Sequence, residues 1–382
     1  MLKRIIEDDI DKYLKGEDYK TFYIWGPRRS GKTTILKQLS KKLNVPVFNF
    51  DYSSDQAKFI PDKEVLEKLV KDYKIILIDE VQNYPESTVV LKLLYDEFKI
   101  KVIATGSSEL KQKGKDFDSQ AGRYTEHYCL PLSLNEIKAN IKLPLHLETE
   151  FEAKKLENLQ IYGSYPEIYT LESNKVEEKI ELLGTIVDAY VLKDIIDIYE
   201  LKNQKLARDI LTKIALQLGS EVSIREIANS TGSNAVTVSN YIEIFIKNYI
   251  LIPLPSFKTN TRRAVSENRK LYFYDLGIRN ALVKDFRETG LRPDKGGLFE
   301  NFIVLEIEKQ RKNIKAMWNT YFYREYDGKE VDIVIEDYKK NYLAIEVKSK
   351  TGKIKNIFPI PHTSEIINSK NYFNKITKLQ VL

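Results

Sequence analysis

Gly26-Pro27-Arg28-Arg29-Ser30-Gly31-Lys32-Thr33-Thr34 is the stretch on which the reading of this chain turns. It fits the pattern G-x-x-x-x-G-K-[ST]. An apolar run at 21–25 precedes it and reads as a buried strand, and the apolar spacing that begins at Ile35 opens a helix behind it. In that setting the glycines let the backbone curl so that successive N–H groups face a phosphate. The helix N-terminus adds its partial positive charge. Gly26, Pro27, Arg28, Arg29, Ser30, Gly31, Lys32, Thr33 and Thr34 are therefore expected to bind nucleotide. Lys32 would reach the β- and γ-phosphates, and the Thr33 hydroxyl would hold Mg²⁺.

Working outward, apolar runs at 22–25, 45–50, 75–78 and 102–104 alternate with helical patterns. That alternation predicts a parallel sheet with helices on both faces. The third run ends Ile78-Asp79-Glu80 and delivers two carboxylates to the carboxyl edge of the sheet, where such sheets bind ligands. Asp79 is expected to hold Mg²⁺ and Glu80 to act as general base toward the attacking water. The fourth run ends Ala104-Thr105-Gly106-Ser107, and its polar tip suits a group that senses the γ-phosphate; Thr105 is favoured over Ser107. Gly122-Arg123 follows a polar loop at 111–120. Arg123 is expected to complete the phosphate site from the same or a neighbouring subunit, with Arg28 and Arg29 as rivals.

Composition narrows the class. A chain of 382 residues with 42% hydrophobic and 30% charged residues suits two or three globular domains. The net charge of +6 permits a nucleic-acid partner without arguing for one, because 61 basic residues face 55 acidic ones. A single cysteine excludes an intramolecular disulfide, and three histidines argue against a histidine-rich metal centre. Without a long apolar run, and with acidic residues following Met1-Leu2-Lys3-Arg4, no membrane partner is expected and the location is read as cytoplasmic.

Several stretches together resemble one family. They are G-P-R-R-S-G-K-T-T at 26–34, I-D-E-V-Q-N-Y-P at 78–85, T-G-S-S at 105–108, A-G-R-Y at 121–124 and L-P-L-S-L-N-E-I at 130–137. The chain is similar in these to archaeal and bacterial AAA+-type ATPases that carry a winged-helix middle and a C-terminal PD-(D/E)xK nuclease-type module. Y-G-S-Y-P-E at 162–167 and Y-F-Y-D-L-G at 272–277 resemble linking motifs of the same family. The resemblance implies ATP rather than GTP. The expected fold class is α/β: a P-loop NTPase parallel sheet domain at 1–140, a helical lid or linker at 141–220, a winged helix-turn-helix at 221–285, and a small α/β PD-(D/E)xK-like domain at 286–382.

The middle reads helical from about 150 to 218. A short helix from about 223, a turn at Gly232 and a second helix over 235–247 then give helix-turn-helix spacing, with Ser223 and Ser233 as N-caps. Strand runs at 250–257 and 270–274 flank a loop with Lys258, Arg262, Arg263, Arg269 and Lys270, the expected shape of a wing. One reading places Asn234, Thr237, Ser239 and Asn240 in a DNA groove with the wing on phosphates. The other makes this a packing or dimerisation module.

Near the C-terminus, Glu300 lies on a helix expected to run to about 309, Asp332 on a strand, and Ile345-Glu346-Val347-Lys348 on a second strand after a turn at 338–341. Strand alternation puts Glu346 and Lys348 on one side, and a hairpin would bring Asp332 beside them. This is the D-(x)n-E-x-K arrangement. Carboxylates of Glu300, Asp332 and Glu346 would bind Mg²⁺, and Lys348 would orient water or stabilise phosphate charge. The expected activity is Mg²⁺-dependent ATP hydrolysis in a DNA-associated protein, with homo-oligomers possible and nucleotide state controlling the later domains. The alternative is a regulatory ATPase that binds a protein partner and carries a retired nuclease fold.

Overall fold

The computed structural model describes residues 2–106, 121–141, 148–194, 203–258, 269–325, 327–348 and 357–380. The chain forms two compact units, Met1–Leu130 and Pro131–Leu382.

The first unit contains α1 (Ile6–Lys15), β1 (Thr21–Trp25), α2 (Lys32–Leu43), β2 (Val47–Asn49), α3 (Ser53–Gln56), α4 (Lys63–Asp72), β3 (Ile75–Asp79), α5 (Ser87–Leu93), β4 (Lys101–Gly106) and β5 (Tyr124–Tyr128). The strands lie in the order β2-β3-β4-β1-β5, all parallel. β1 and β3 are buried along their whole length, as central strands covered on both faces must be, and so read as unbroken apolar runs. β5 escapes that signal. It is an edge strand of mostly half-buried residues, Tyr124-Thr125-Glu126-His127-Tyr128, and the four-strand expectation misses it. One face of the sheet packs Phe22, Ile24, Leu77 and Ile103 against Ile6 and Ile10 of α1 and Ile35, Leu36 and Leu39 of α2. An edge-to-face aromatic group of Phe48, Phe50, Phe59 and Tyr84 packs separately.

The unit closes at Leu130 rather than near residue 140. The following α6 (Leu134–Ala139) opens with a Ser133/Glu136 capping box, and its Leu134 N–H donates to Glu306 Oε2 at 2.9 Å, inside the second unit.

The second unit continues through α7 (Glu148–Tyr162), α8 (Pro166–Thr170), α9 (Val176–Thr185), α10 (Gln204–Leu216), α11 (Ile224–Thr231), α12 (Ala235–Lys247), β6 (Leu251–Pro255), β7 (Arg269–Phe273), α13 (Leu276–Val283), α14 (Lys295–Asn313), β8 (Trp318–Arg324), β9 (Glu330–Asp337), β10 (Tyr342–Val347), β11 (Thr363–Ile367) and α15 (Tyr372–Thr377). α11, the left-handed Gly232 and α12 lie where helix-turn-helix spacing predicts them. Ser223 caps α11 as expected, but α12 is capped by Asn234, which accepts from Thr237 N–H at 2.8 Å, and not by Ser233. β6 and β7 pair antiparallel. A four-stranded sheet follows in the order β11-β10-β9-β8, antiparallel except for the β10–β11 pair.

The two linking motifs meet each other. Asp275 caps α13 and accepts the Ser164 N–H at 2.7 Å, so closely that a Cβ on Gly163 would sit 2.0 Å from its Oδ1. A Cβ on Gly277 would lie 2.2 Å from the Tyr162 carbonyl oxygen. Asn301 of α14 bonds both the N–H and the carbonyl of Phe273, each at 2.9 Å, tying this helix to β7. Contacts of this kind join three expected segments into one body. Among the described residues no helix is long and apolar enough to cross a membrane.

Candidate functional site

The loop between β1 and α2 turns at the carboxyl edge of the sheet. Arg29 and Gly31 take left-handed conformations, with φ of 61° and 104°. Gly26 is required by close approach: a Cβ there would fall 2.0 Å from the Cys129 carbonyl oxygen. α2 begins with no side-chain cap at Gly31, so its first amides have no side-chain acceptor at the cap and suit an anion. Lys32 is buried and donates to the carbonyls of Gly26 and Pro27, both at 2.8 Å, across the mouth of the loop. Burial pushes its ammonium below the ordinary lysine value, against the pull of Glu80 and Asp79. Thr33 and Thr34 are exposed at the start of α2, as is Arg29 in the loop, whereas Ser30 is buried and Arg28 half-buried.

Behind the loop stands a residue that motif reading passes over. Arg4, almost fully buried, donates to the carbonyls of Ser30 and Leu130, each at 2.6 Å. It fixes the loop to the end of β5. Nothing in its local sequence distinguishes it, because its partners are 26 and 126 residues away.

β3 and β4 are neighbours, and their tips converge. Asp79 is buried and accepts a hydrogen bond from the Thr105 hydroxyl. Glu80 takes a left-handed conformation with φ of 52°, and its Oε2 accepts from the Gln82 amide. The structure thus brings Lys32, Asp79, Glu80 and Thr105 to one sheet edge. Ser107, Ser108 and the polar loop at 111–120 lie outside the described residues.

Arg123 is placed elsewhere. Thr21 pairs with Tyr124 at the amino ends of β1 and β5, and Arg123 is hydrogen-bonded there through its carbonyl to Thr21 N–H at 2.9 Å. Its guanidinium donates to Asp96 at 2.8 Å. The phosphate loop follows the opposite end of β1, about 13 Å along a five-residue strand. Arg123 therefore does not complete the phosphate site of its own chain, and Arg28 and Arg29 are the arginines on that loop.

In the second unit the expected wing cations divide. Arg269 donates to Glu243 at 2.7 Å, and Lys270 is turned inward with only 1% of its surface exposed. Arg262 and Arg263 lie outside the described residues. On α12, Asn240 is exposed and Thr237 and Ser239 half-buried, while the Asn234 side chain is engaged as the cap.

The C-terminal carboxylates converge. The β9–β10 ladder ends at the Ile333–Ile345 pair, and Asp332 and Glu346 are the next residues on their strands. Asp332 Oδ2 accepts the Val347 N–H at 2.7 Å. Lys348 Nζ lies 2.7 Å from Glu346 and 4.0 Å from Asp332. Glu346 is buried, and its Oε1 has no hydrogen-bond partner. Burial, then the charges of Glu300 and Glu346, raise the Asp332 carboxyl to about 7 against the opposing Val347 N–H and Lys348. Burial lowers the Lys348 ammonium, but Glu346 and Asp332 raise it more.

Among the described residues, the three acids whose oxygens lie within 4.8 Å of one another are Glu300, Glu330 and Asp332, rather than the expected Glu300, Asp332 and Glu346. Glu330 was missed, although its i, i+2 spacing from Asp332 on one strand face is a usable signal. Lys270 Nζ donates to Glu300 Oε1 at 2.9 Å and also to Glu330, and the Tyr272 hydroxyl donates to Glu300.

Residues 18–138 match the family model described as an AAA domain. Residues 153–292 and 295–359 match two models described as domains of unknown function, DUF8612 and DUF4143. The chain is 26% identical to uncharacterized protein MJ1544 of Methanocaldococcus jannaschii, over 90% of this chain and 77% of that one. It is 23% identical to an uncharacterized protein of Haemophilus influenzae, over 88% and 85%. Solved structures similar to it include the Aeropyrum pernix ORC1 protein in complex with DNA, at 15% identity and TM-score 0.32, covering 73% of this chain and 92% of that one. The Thermotoga maritima RuvB Holliday junction branch migration motor is similar at 16% identity and TM-score 0.30, covering 65% and 90%. The first unit, with its parallel five-stranded sheet and phosphate loop, has an AAA-type ATPase-like fold.

Proposed function

We propose that this chain binds and hydrolyses ATP at the carboxyl edge of its first sheet. The observation that carries this is the meeting of an uncapped α2 N-terminus, Lys32, and the hydrogen-bonded Thr105–Asp79 pair. The loop amides and Lys32 hold the phosphates. Thr33 and Asp79 suit Mg²⁺, which supplies charge compensation on the phosphates. Glu80, oriented by Gln82, takes the proton of the attacking water as the bond from the γ-phosphorus to its bridging oxygen breaks, releasing ADP and phosphate. Lys32→Ala is expected to abolish nucleotide binding. Glu80→Gln should retain binding and lose hydrolysis by about a hundredfold or more. Hydrolysis unchanged by Glu80→Gln would overturn the role.

The proposal extends to the second unit as a DNA-associated body with a divalent-metal site at Asp332 and Glu346. The buried, unpartnered Glu346 Oε1 beside Asp332 fits a hard cation. Such an ion supplies Lewis-acid activation of water and of a phosphodiester, and Lys348 stands ready to stabilise the phosphate charge. Incubation of single-stranded, duplex and branched DNA with Mg²⁺ or Mn²⁺ is the test. Cleavage lost in both Glu346→Ala and Lys348→Ala establishes a nuclease.

One observation favours a second reading. Arg269 is paired with Glu243 and Lys270 with the largely buried Glu300, which engages two of the cations expected on phosphate. In that reading the chain is a regulatory ATPase that assembles with a protein partner or its own copies, and the carboxylate site is inert. DNA affinity that falls steeply with salt supports the first reading; ATP-dependent assembly indifferent to DNA supports the second.

A further inference from the structure

We infer that Lys270 is a built-in cation that occupies the place of a second divalent ion, so that the carboxylate site takes one ion and not two. This rests on the metal-binding reading of Asp332 and Glu346.

Glu300 from α14 and Glu330 and Asp332 from β9 stand close enough to share one ion. Three carboxylates so placed repel one another unless a cation sits among them. That cation is already in the chain. β7 brings Lys270 in from a separate hairpin, and its ammonium lies in hydrogen-bond contact with both Glu300 and Glu330. Burying an ammonium this deeply is costly without such partners. Tyr272, two residues on and so on the same strand face, donates to the Glu300 oxygen that Lys270 uses. The other Glu330 oxygen accepts from Arg324 Nε at 2.6 Å. Glu300 Oε1 and both oxygens of Glu330 thus accept from lysine, tyrosine and arginine donors.

Asp332 and Glu346 differ. Asp332 receives a single backbone N–H, and Glu346 keeps a buried oxygen with no hydrogen bond. Open ligand capacity is concentrated on that pair. A second hard divalent ion, at about 2.0–2.1 Å from oxygens of Glu300 and Glu330, would need the space the ammonium fills between them. It would also have to compete with a cation tethered at high effective concentration.

The test counts Mn²⁺ bound to the full chain by electron paramagnetic resonance, without nucleotide and in an Asp79→Asn background that silences the phosphate-loop site. The expected count is one ion in this background, two with Lys270→Met added, and one again with Lys270→Met and Glu330→Gln together. Mn²⁺ should raise the melting temperature of the Lys270→Met protein by several degrees more than that of its parent. Two ions with Lys270 in place, or one ion in a folded Lys270→Met protein, overturns the inference. Should Lys270→Met fail to fold, Glu300→Gln and Glu330→Gln decide: with Lys270 in place each should still bind one ion, and loss of an ion in either overturns it. Glu346→Ala separates the two claims. Retention of the single ion there, with Lys270→Met still adding another, refutes the Asp332–Glu346 site and leaves the role of Lys270 standing. No ion in either protein refutes both.

Discussion

The Thr105 hydroxyl donates a hydrogen bond to Asp79, joining the tips of two parallel strands at the edge where the phosphate loop turns. Both residues are buried, and the bond engages Asp79 Oδ1. A hydrogen bond to a charged group is worth about 1.5–3 kcal/mol. Thr105→Val should therefore slow ATP turnover roughly ten- to a hundredfold, with ADP affinity little changed and Thr105→Ser retaining most activity. Unchanged steady-state turnover in Thr105→Val would remove the bond from the mechanism.

Arg4 braces the loop from behind. Arg4→Ala strips the Ser30 and Leu130 carbonyls of a buried charged donor and should lower stability by about 2–4 kcal/mol. Arg4→Lys should recover only part, because an ammonium cannot reproduce the guanidinium fork. Urea unfolding and titration with a fluorescent nucleotide measure both effects. A variant as stable and as tight-binding as the parent contradicts the bracing role.

Arg123 is committed to Asp96 at the amino edge of the sheet. Arg123→Ala should leave hydrolysis in dilute protein within about twofold, well under 1 kcal/mol of barrier. If its loss shows only as protein concentration rises, the residue acts on the site of a neighbouring copy.

Asp275 carries a pH signature. Burial raises its carboxyl to about 6, against the opposing Ser164 N–H and Lys309. Its unfolded value is near 3.9, so between about pH 4 and 6 the folded chain holds the proton more tightly. Stability from this group is therefore full below pH 4 and falls as pH rises to 6, by on the order of 3 kcal/mol. Above pH 6 its contribution is flat. Denaturant unfolding across this range should show that decline in the parent protein and not in Asp275→Ser, whatever the variant's absolute stability. An identical slope in both would assign the decline to other groups.

Much of the architecture was legible in local pattern. The phosphate loop, the strands ending at Asp79 and Thr105, and the span of α12 all rest on residues a few positions apart, where strand and helix periods act directly. The edge strand β5 was not, because half-buried residues carry no continuous apolar run. Arg269 and Lys270 looked like wing cations because they flank a basic loop, yet composition cannot tell a solvated lysine from a buried one. Glu330, by contrast, carried a local signal in its i, i+2 spacing from Asp332 on one strand.

The sequence by itself determined that a phosphate loop stands between a buried strand and a helix, and that two carboxylates follow at the next strand end. These are properties of short segments, set by backbone freedom and side-chain alternation. Tertiary structure alone decided that Arg4 would hold Leu130, that Arg123 would face away from the phosphate edge, and that Lys270 would enter the carboxylate cluster. Each depends on strand order and on burial shared by residues far apart in the chain. The cost of burying a charge is met only by the partner the fold brings to it, and no local stretch of sequence records which partner that is.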